Sequence, residues 1–181
     1  MPDKNTAVLV VDMLNRYDHQ DAEPLMESVR ERLPAMRRLL EAARERDVFV
    51  AYVNDSQGDW AANGPSLAEA AMRGRDPSLV EPILPPPRIP FVIKSRHSVF
   101  YQTQLEYMLW QEGIERIVLL GQVTEQCILY SALDAYVRHF KVSVAPDAVA
   151  HIHEDLAQAA LRMMEINMRA RLVEANHVAF R

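Results

Sequence analysis

Ala7-Val8-Leu9-Val10-Val11-Asp12 is a run of apolar residues, mostly Val and Leu, closed by one acid. It lacks the apolar–polar alternation of a half-buried strand and reads as a strand covered on both faces. Strands of that kind belong to parallel sheets, in which helices cover both sides. The segments that follow fit the same plan. Residues 25–46 have helical spacing: Val29, Leu33, Met36, Leu39, Leu40 and Ala43 share one face, and Pro34 is expected to end, kink or restart the helix.

Residues 48–53 read as a second strand, 66–73 as a short helix, and Phe91–Lys94, after a proline-rich loop, as a third strand. Residues 102–111 read as a helix closing at Gly113, a C′ glycine. Residues 117–120 form the fourth strand, and a turn from Gly121 to Thr124 leads into a helix over about 125–138. Residues 142–145 are the fifth strand, 154–174 a long helix, and 177–180 a final short strand. This alternation predicts a mostly parallel sheet with helices on both faces. No linker or repeat divides it, so a single α/β domain over 1–181 is expected.

Composition narrows the function. With 20 Lys plus Arg against 25 Asp plus Glu the net charge is −5, which argues against a nucleic-acid binder and against anchoring to anionic membranes. The first apolar stretch is too short for a signal-peptide core, and no run has transmembrane length, so a cytoplasmic protein is expected. The single cysteine, Cys127, excludes an internal disulfide and a cysteine-based zinc or iron–sulfur cluster. Neither Gly-x-Gly-x-x-Gly nor a Gly-x₄-Gly-Lys loop occurs, which argues against a nucleotide-dependent oxidoreductase or kinase.

Ligands of open parallel sheets bind beyond the C-terminal strand ends. Asp12, Asn54, Asp55, Lys94, the turn 121–127 with Cys127, and Asp147 all fall there. Taken alone, Asp12 is a turn or capping carboxylate, Lys94 a solvated strand end and Cys127 a buried small hydrophobe. Together they form a thiol near a helix start, an ammonium expected to lower its pKa, and a carboxylate able to take its proton.

Three blocks strengthen the combination: Val10-Val11-Asp12-Met13-Leu14-Asn15; Val92-Ile93-Lys94-Ser95-Arg96-His97-Ser98-Val99-Phe100 with Thr103 and Leu105; and Gly121-Gln122-Val123-Thr124-Glu125-Gln126-Cys127. In this order they resemble the signature blocks of the isochorismatase-like cysteine hydrolases, and the stretches 132–135 and 144–148 are also similar. The resemblance implies a three-layer α/β fold with a six-stranded, mostly parallel sheet and helices on both faces. It also implies an Asp–Lys–Cys triad, here Asp12, Lys94 and Cys127. A cis peptide is implied at Gln122–Val123, with the backbone N–H groups of Val123 and Cys127 forming an oxyanion hole.

Nicotinamidases of that family hold a metal with an Asp-x-His pair and a further His after the second strand. Here that segment reads Asn54-Asp55-Ser56, and no histidine lies between His19 and His97, so no metal and no cofactor are expected. The retained thiol points to hydrolysis of a carbon–nitrogen bond in a small amide or carbamoyl compound through a thioester. The alternatives are an isochorismatase-type or other non-amide hydrolase using Asp12 and Lys94, or an inactive binding module of the same fold. Asn15, Tyr17, Trp60, His97 and Phe100 are candidate pocket residues. His151 and His153, at i, i+2 near a helix start, read as capping or exposed residues. The expected partners are a small-molecule substrate and further copies of the chain, as dimer or tetramer, with the Met-rich final helix serving either as contact surface or as sheet-facing core.

Overall fold

The computed structural model describes residues 4–180; residues 1–3 and 181, which the expected domain of 1–181 also takes in, lie outside the described residues. β1 (Thr6–Val11) lies at the middle of the sheet, with Ala7 to Val11 each no more than 1% exposed. β2 (Phe49–Asp55) pairs with one edge of it and β4 (Arg116–Gln122) with the other. β3 (Phe91–Lys94) lies beyond β2, and β5 (Lys141–Ala150) and β6 (Arg171–Leu172) lie beyond β4. The order is β3-β2-β1-β4-β5-β6 and every pairing is parallel. Chain order reverses on either side of β1, so the crevice between β1 and β4 is the topological switch point.

Successive side chains of a strand point to opposite faces, and β1 supplies a core on each side. Val8 and Val10 pack with α1 (Ala22–Glu45) and α2 (Gly64–Met72). Ala7, Leu9 and Val11 pack with α3 (Leu105–Gln111), α4 (Leu129–Val137) and α5 (Glu154–Met168). The expected face of α1 is buried throughout: Val29, Leu33, Met36, Leu39, Leu40 and Ala43. Pro34 does not end this helix. Its position is exposed, so water can serve the Arg30 carbonyl that it leaves without a donor. One interior proline costs about 3 kcal/mol, whereas each buried Val, Leu or Met contributes about 1.5–3 kcal/mol. The apolar face wins.

The C-terminal segment departs from expectation. α5 stops at Met168 because Arg169 adopts a left-handed conformation (φ 54°) that turns the chain back to the sheet. Arg171–Leu172 then forms the edge strand, with Val173 N–H donating to Val144 C=O at 3.0 Å. The expected strand over 177–180 is absent: 175–177 is a single helical turn. α5 itself divides: Leu161, Met164 and Met168 are buried, while Met163 and Ile166 are exposed. Among the described residues, no helix is long and apolar enough to cross a membrane.

One close approach shapes the switch point. Gly121 faces Val11 in the β1–β4 register with φ +119°, and a Cβ there would fall 2.1 Å from the Val11 carbonyl oxygen. Only glycine fits. The ends of β1 and β4 can therefore converge just before Asp12 and the turn that carries Cys127.

Candidate active site

Asp12 leaves β1 in a left-handed conformation (φ 55°), with its N–H still bonded to Val53 C=O at 2.9 Å. The kink is held from β4, where Gln122 Nε2 donates to Asp12 C=O at 2.6 Å. The carboxylate is engaged on both oxygens: Asp55 N–H donates to Oδ1 at 2.7 Å and Lys94 Nζ to Oδ2 at 2.9 Å. Lys94, 2% exposed at the end of β3, also donates to Arg96 C=O at 3.0 Å and reaches Cys127 Sγ at 3.6 Å. An ammonium has three N–H donors, and these contacts use all three.

Cys127 sits on a wide turn over Thr124–Ile128 that precedes α4. The Val123 carbonyl accepts from Gln126 N–H at 3.0 Å and from Ile128 N–H at 3.1 Å, the second bond spanning five residues. Wide turns of this type recur at functional sites. Two side chains anchor it to the end of β5: Thr124 Oγ1 donates to Ala150 C=O at 2.9 Å, and Glu125 Oε1 accepts from the N–H groups of Ile152 and His153 at 3.0 and 2.8 Å. The Gln122–Val123 peptide bond is cis.

The electrostatics of the three groups reverse one expectation. Burial alone would lower the Lys94 pKa, but the charge of the Asp12 carboxylate beside it outweighs burial, so the ammonium is held. The thiol moves the other way. Burial, followed by the negative charge of Asp12, pushes Cys127 above its ordinary value, and Lys94 offsets this only in part. The resting state is therefore a neutral thiol hydrogen-bonded to an ion pair, not a free thiolate. Passing the proton from Sγ to Asp12 leaves the total charge of the three groups unchanged, whereas losing it to water does not.

The three groups open onto a cavity of about 410 Å³, whose lining includes Asn15, His97 and Val123. Asn15 Oδ1 accepts from Tyr17 N–H at 2.8 Å, and His97 Nδ1 lies 3.7 Å from Sγ. The other expected pocket residues lie elsewhere. Tyr17 is fully buried beneath the site, its hydroxyl donating to Gln122 Oε1 at 3.4 Å. Phe100 packs in the core against Phe140, with ring centroids 5.8 Å apart, beneath the Arg138 guanidinium. Trp60 is 88% exposed on the loop after β2. An aromatic at a strand–loop junction thus has three different fates here, decided by the path of each loop.

The cavity also has a polar rim that the sequence reading missed: Arg16, Asp18, His19 and Asp21, with Arg16 paired to Asp18 at 2.9 Å. All four follow Asp12 at the C-terminal edge of the sheet, so extending the strand-end criterion by one loop would have found them. His153 is exposed, and His151 Nδ1 lies 3.3 Å from Ser28 Oγ rather than at the cavity.

The positions where nicotinamidase-type members hold a metal do not fit that role. Asn54 is 3% exposed and spends its amide on Leu14, accepting from Leu14 N–H at 2.9 Å and donating to Leu14 C=O at 3.2 Å. Asp55 Oδ1 accepts from Gln57 N–H at 2.7 Å, and Oδ2 lies 3.8 Å from Lys94 Nζ. Among the described residues, no three His, Cys, Asp or Glu side chains are grouped to hold a metal ion.

Residues 6–176 match the family model described as the isochorismatase domain. An uncharacterized isochorismatase family protein of Bacillus subtilis, YaaI, is 30% identical over 165 residues, 91% of each chain. The ureidoacrylate amidohydrolase RutB of Agrobacterium fabrum is 29% identical over 86% of this chain and 80% of its own. The crystal structure of N-carbamoylsarcosine amidase from Thermoplasma acidophilum superposes with a TM-score of 0.74 at 26% identity, covering 96% of this chain and 98% of that one.

Proposed function

Because the chain belongs to the isochorismatase family of hydrolases, we propose that it is a cysteine hydrolase that cleaves a carbon–nitrogen bond of a small amide or carbamoyl compound through a thioester. The observation that carries this is the contact of one thiol with one buried ion pair: Sγ is 3.6 Å from Lys94 Nζ, which is 2.9 Å from Asp12 Oδ2. The names of two relatives, an amidohydrolase and an amidase, support the choice of bond. A cavity of about 410 Å³ suits a small molecule.

In the proposed reaction Asp12 takes the thiol proton as Sγ attacks the carbonyl carbon, and Lys94 stabilises the sulfur while orienting the carboxylate. The N–H groups of Val123 and Cys127 receive the oxyanion; a donor of this kind is worth about 2.7–4 kcal/mol in other acyl-transfer enzymes. Asp12 then gives its proton to the departing nitrogen, and water hydrolyses the thioester. The resting thiol is compatible with this sequence, because proton transfer and attack are coupled and no standing thiolate is required.

The test is an ammonia-release screen over small amides, ureas and carbamoyl compounds, with Cys127→Ala as the blank. Release that depends on Cys127, with an acyl adduct found on that residue by mass spectrometry, is the expected result. Release that persists undiminished in Cys127→Ala overturns the mechanism.

A further inference from the structure

A second proton-handling group stands beside the sulfur, in addition to the buried Asp12–Lys94 pair. His97 Nδ1 lies 3.7 Å from Cys127 Sγ, and the imidazole is exposed and lines the cavity. The segment that carries it is tied down on both sides. Upstream, Arg96 C=O accepts from Lys94 Nζ at 3.0 Å; downstream, Val99 N–H donates to Ser131 Oγ at 3.0 Å and Ser98 Oγ donates to the Asp134 carboxylate. The ring leans on Tyr130, with centroids 5.4 Å apart. Its position beside the nucleophile is therefore built by the fold.

The two halves of a thioester reaction make different demands. In the first, a proton must leave Sγ and reach the departing nitrogen, and Asp12, paired with the lysine that touches Sγ, is the base argued above for that task. In the second, a water must approach the acyl carbon from the open side. Asp12 is the less accessible of the two groups: its side chain is 14% exposed and paired with Lys94, whereas the His97 imidazole is exposed. An imidazole nitrogen 3.7 Å from Sγ leaves room for one water between itself and a carbon bonded to that sulfur.

We propose that His97 is a catalytic residue of the second half-reaction, the general base that deprotonates the water attacking the Cys127 thioester. This rests on the cysteine-hydrolase function argued above. As the water oxygen bonds to the acyl carbon, one of its protons passes to His97 Nδ1. The tetrahedral intermediate collapses, the C–S bond breaks, and its electron pair returns to Sγ. His97 then gives the proton to Sγ and restores the thiol, while the acid departs with the oxygen of the water. No oxidant or reductant enters.

The test uses p-nitrophenyl acetate as acyl donor, because its phenolate leaves without needing a proton and the second half-reaction is isolated. Acylation is followed by nitrophenolate release, and decay of the acetyl group on Cys127 by mass spectrometry. His97→Gln is expected to accumulate acetyl-Cys127, its decay slowed about 100-fold, the lower end of the range for general base catalysis. In His97→Ala, added imidazole is expected to restore decay, which a purely structural role would not allow. Decay at the unaltered rate in His97→Gln, or no rescue of His97→Ala by imidazole, overturns the role of His97 and leaves the cysteine nucleophile standing. If acetylation of the unaltered protein does not depend on Cys127, both fall.

Discussion

Lys94 Nζ donates to Asp12 Oδ2 at 2.9 Å across the width of β2, from a side chain only 1% exposed. Two charges withdrawn this far from water are each costly alone and tolerable only together. The pair is thus a structural unit as well as the proposed acid–base apparatus, and the two roles separate by mutation.

Lys94→Met leaves the Asp12 carboxylate buried without its counter-charge. It is expected to abolish turnover and to destabilise the fold by about 3 kcal/mol, read by chemical denaturation. The double variant Lys94→Met, Asp12→Asn should recover much of that stability and none of the activity. If the single and double variants are equally unstable, the ion pair is not the cause.

Asp12→Asn should have opposite effects on two measures of Cys127. The Asp12 charge is one of the forces holding the thiol pKa up, so its removal raises the thiolate fraction, about tenfold for each pKa unit released. Alkylation by iodoacetamide at neutral pH should therefore accelerate while hydrolysis is lost. Slower alkylation in this variant would show that the Asp12 charge does not hold the thiol pKa up.

The same thiol affects stability in alkali. Burial raises the folded-state pKa of Cys127 above its ordinary value, so the folded chain keeps a proton that the unfolded chain releases above about pH 8.5. This contribution is fully present below that pH and is lost as pH climbs toward the folded value. Denaturation at neutral pH and at about pH 10 should show a smaller alkaline loss for Cys127→Ala than for the unaltered protein. Tyr52, pushed up to about 12 by burial, acts in the same direction in both proteins and cancels from the comparison.

Trp60 and Phe100 give a contrasting pair. Trp60→Ala, at a side chain 88% exposed, should leave stability within about 0.5 kcal/mol of the original. Phe100→Ala removes a ring stacked in the core and should cost about 3–5 kcal/mol. Thermal or chemical denaturation distinguishes them, and a large loss at Trp60 would show that its side chain packs against something.

The elements that sequence alone determined are those governed by local patterning. The unbroken apolar run of Ala7 to Val11 announces a strand covered on both faces, and the 3.6-residue spacing from Val29 to Ala43 announces the buried face of α1, even through a proline. The order of Asp12, Lys94 and Cys127 along the chain, with the strand-end rule, brought them to one sheet edge on paper because parallel connections leave few alternatives.

What only the tertiary structure decided depends on distant partners. The end of α5 is a left-handed Arg169, a residue with no intrinsic preference for that conformation, stabilised by the return of the chain to β5. Tyr17, Trp60 and Phe100 are chemically alike, yet their loops send one beneath the site, one into solvent and one into the core. Above all, a sequence can name an acid, an ammonium and a thiol as neighbours but cannot say how deeply they are buried. Proximity of an ammonium suggested a lowered thiol pKa; the low-dielectric surroundings and the Asp12 charge raise it. Desolvation is a property of the whole packed molecule, and it settles whether Cys127 rests as thiol or thiolate.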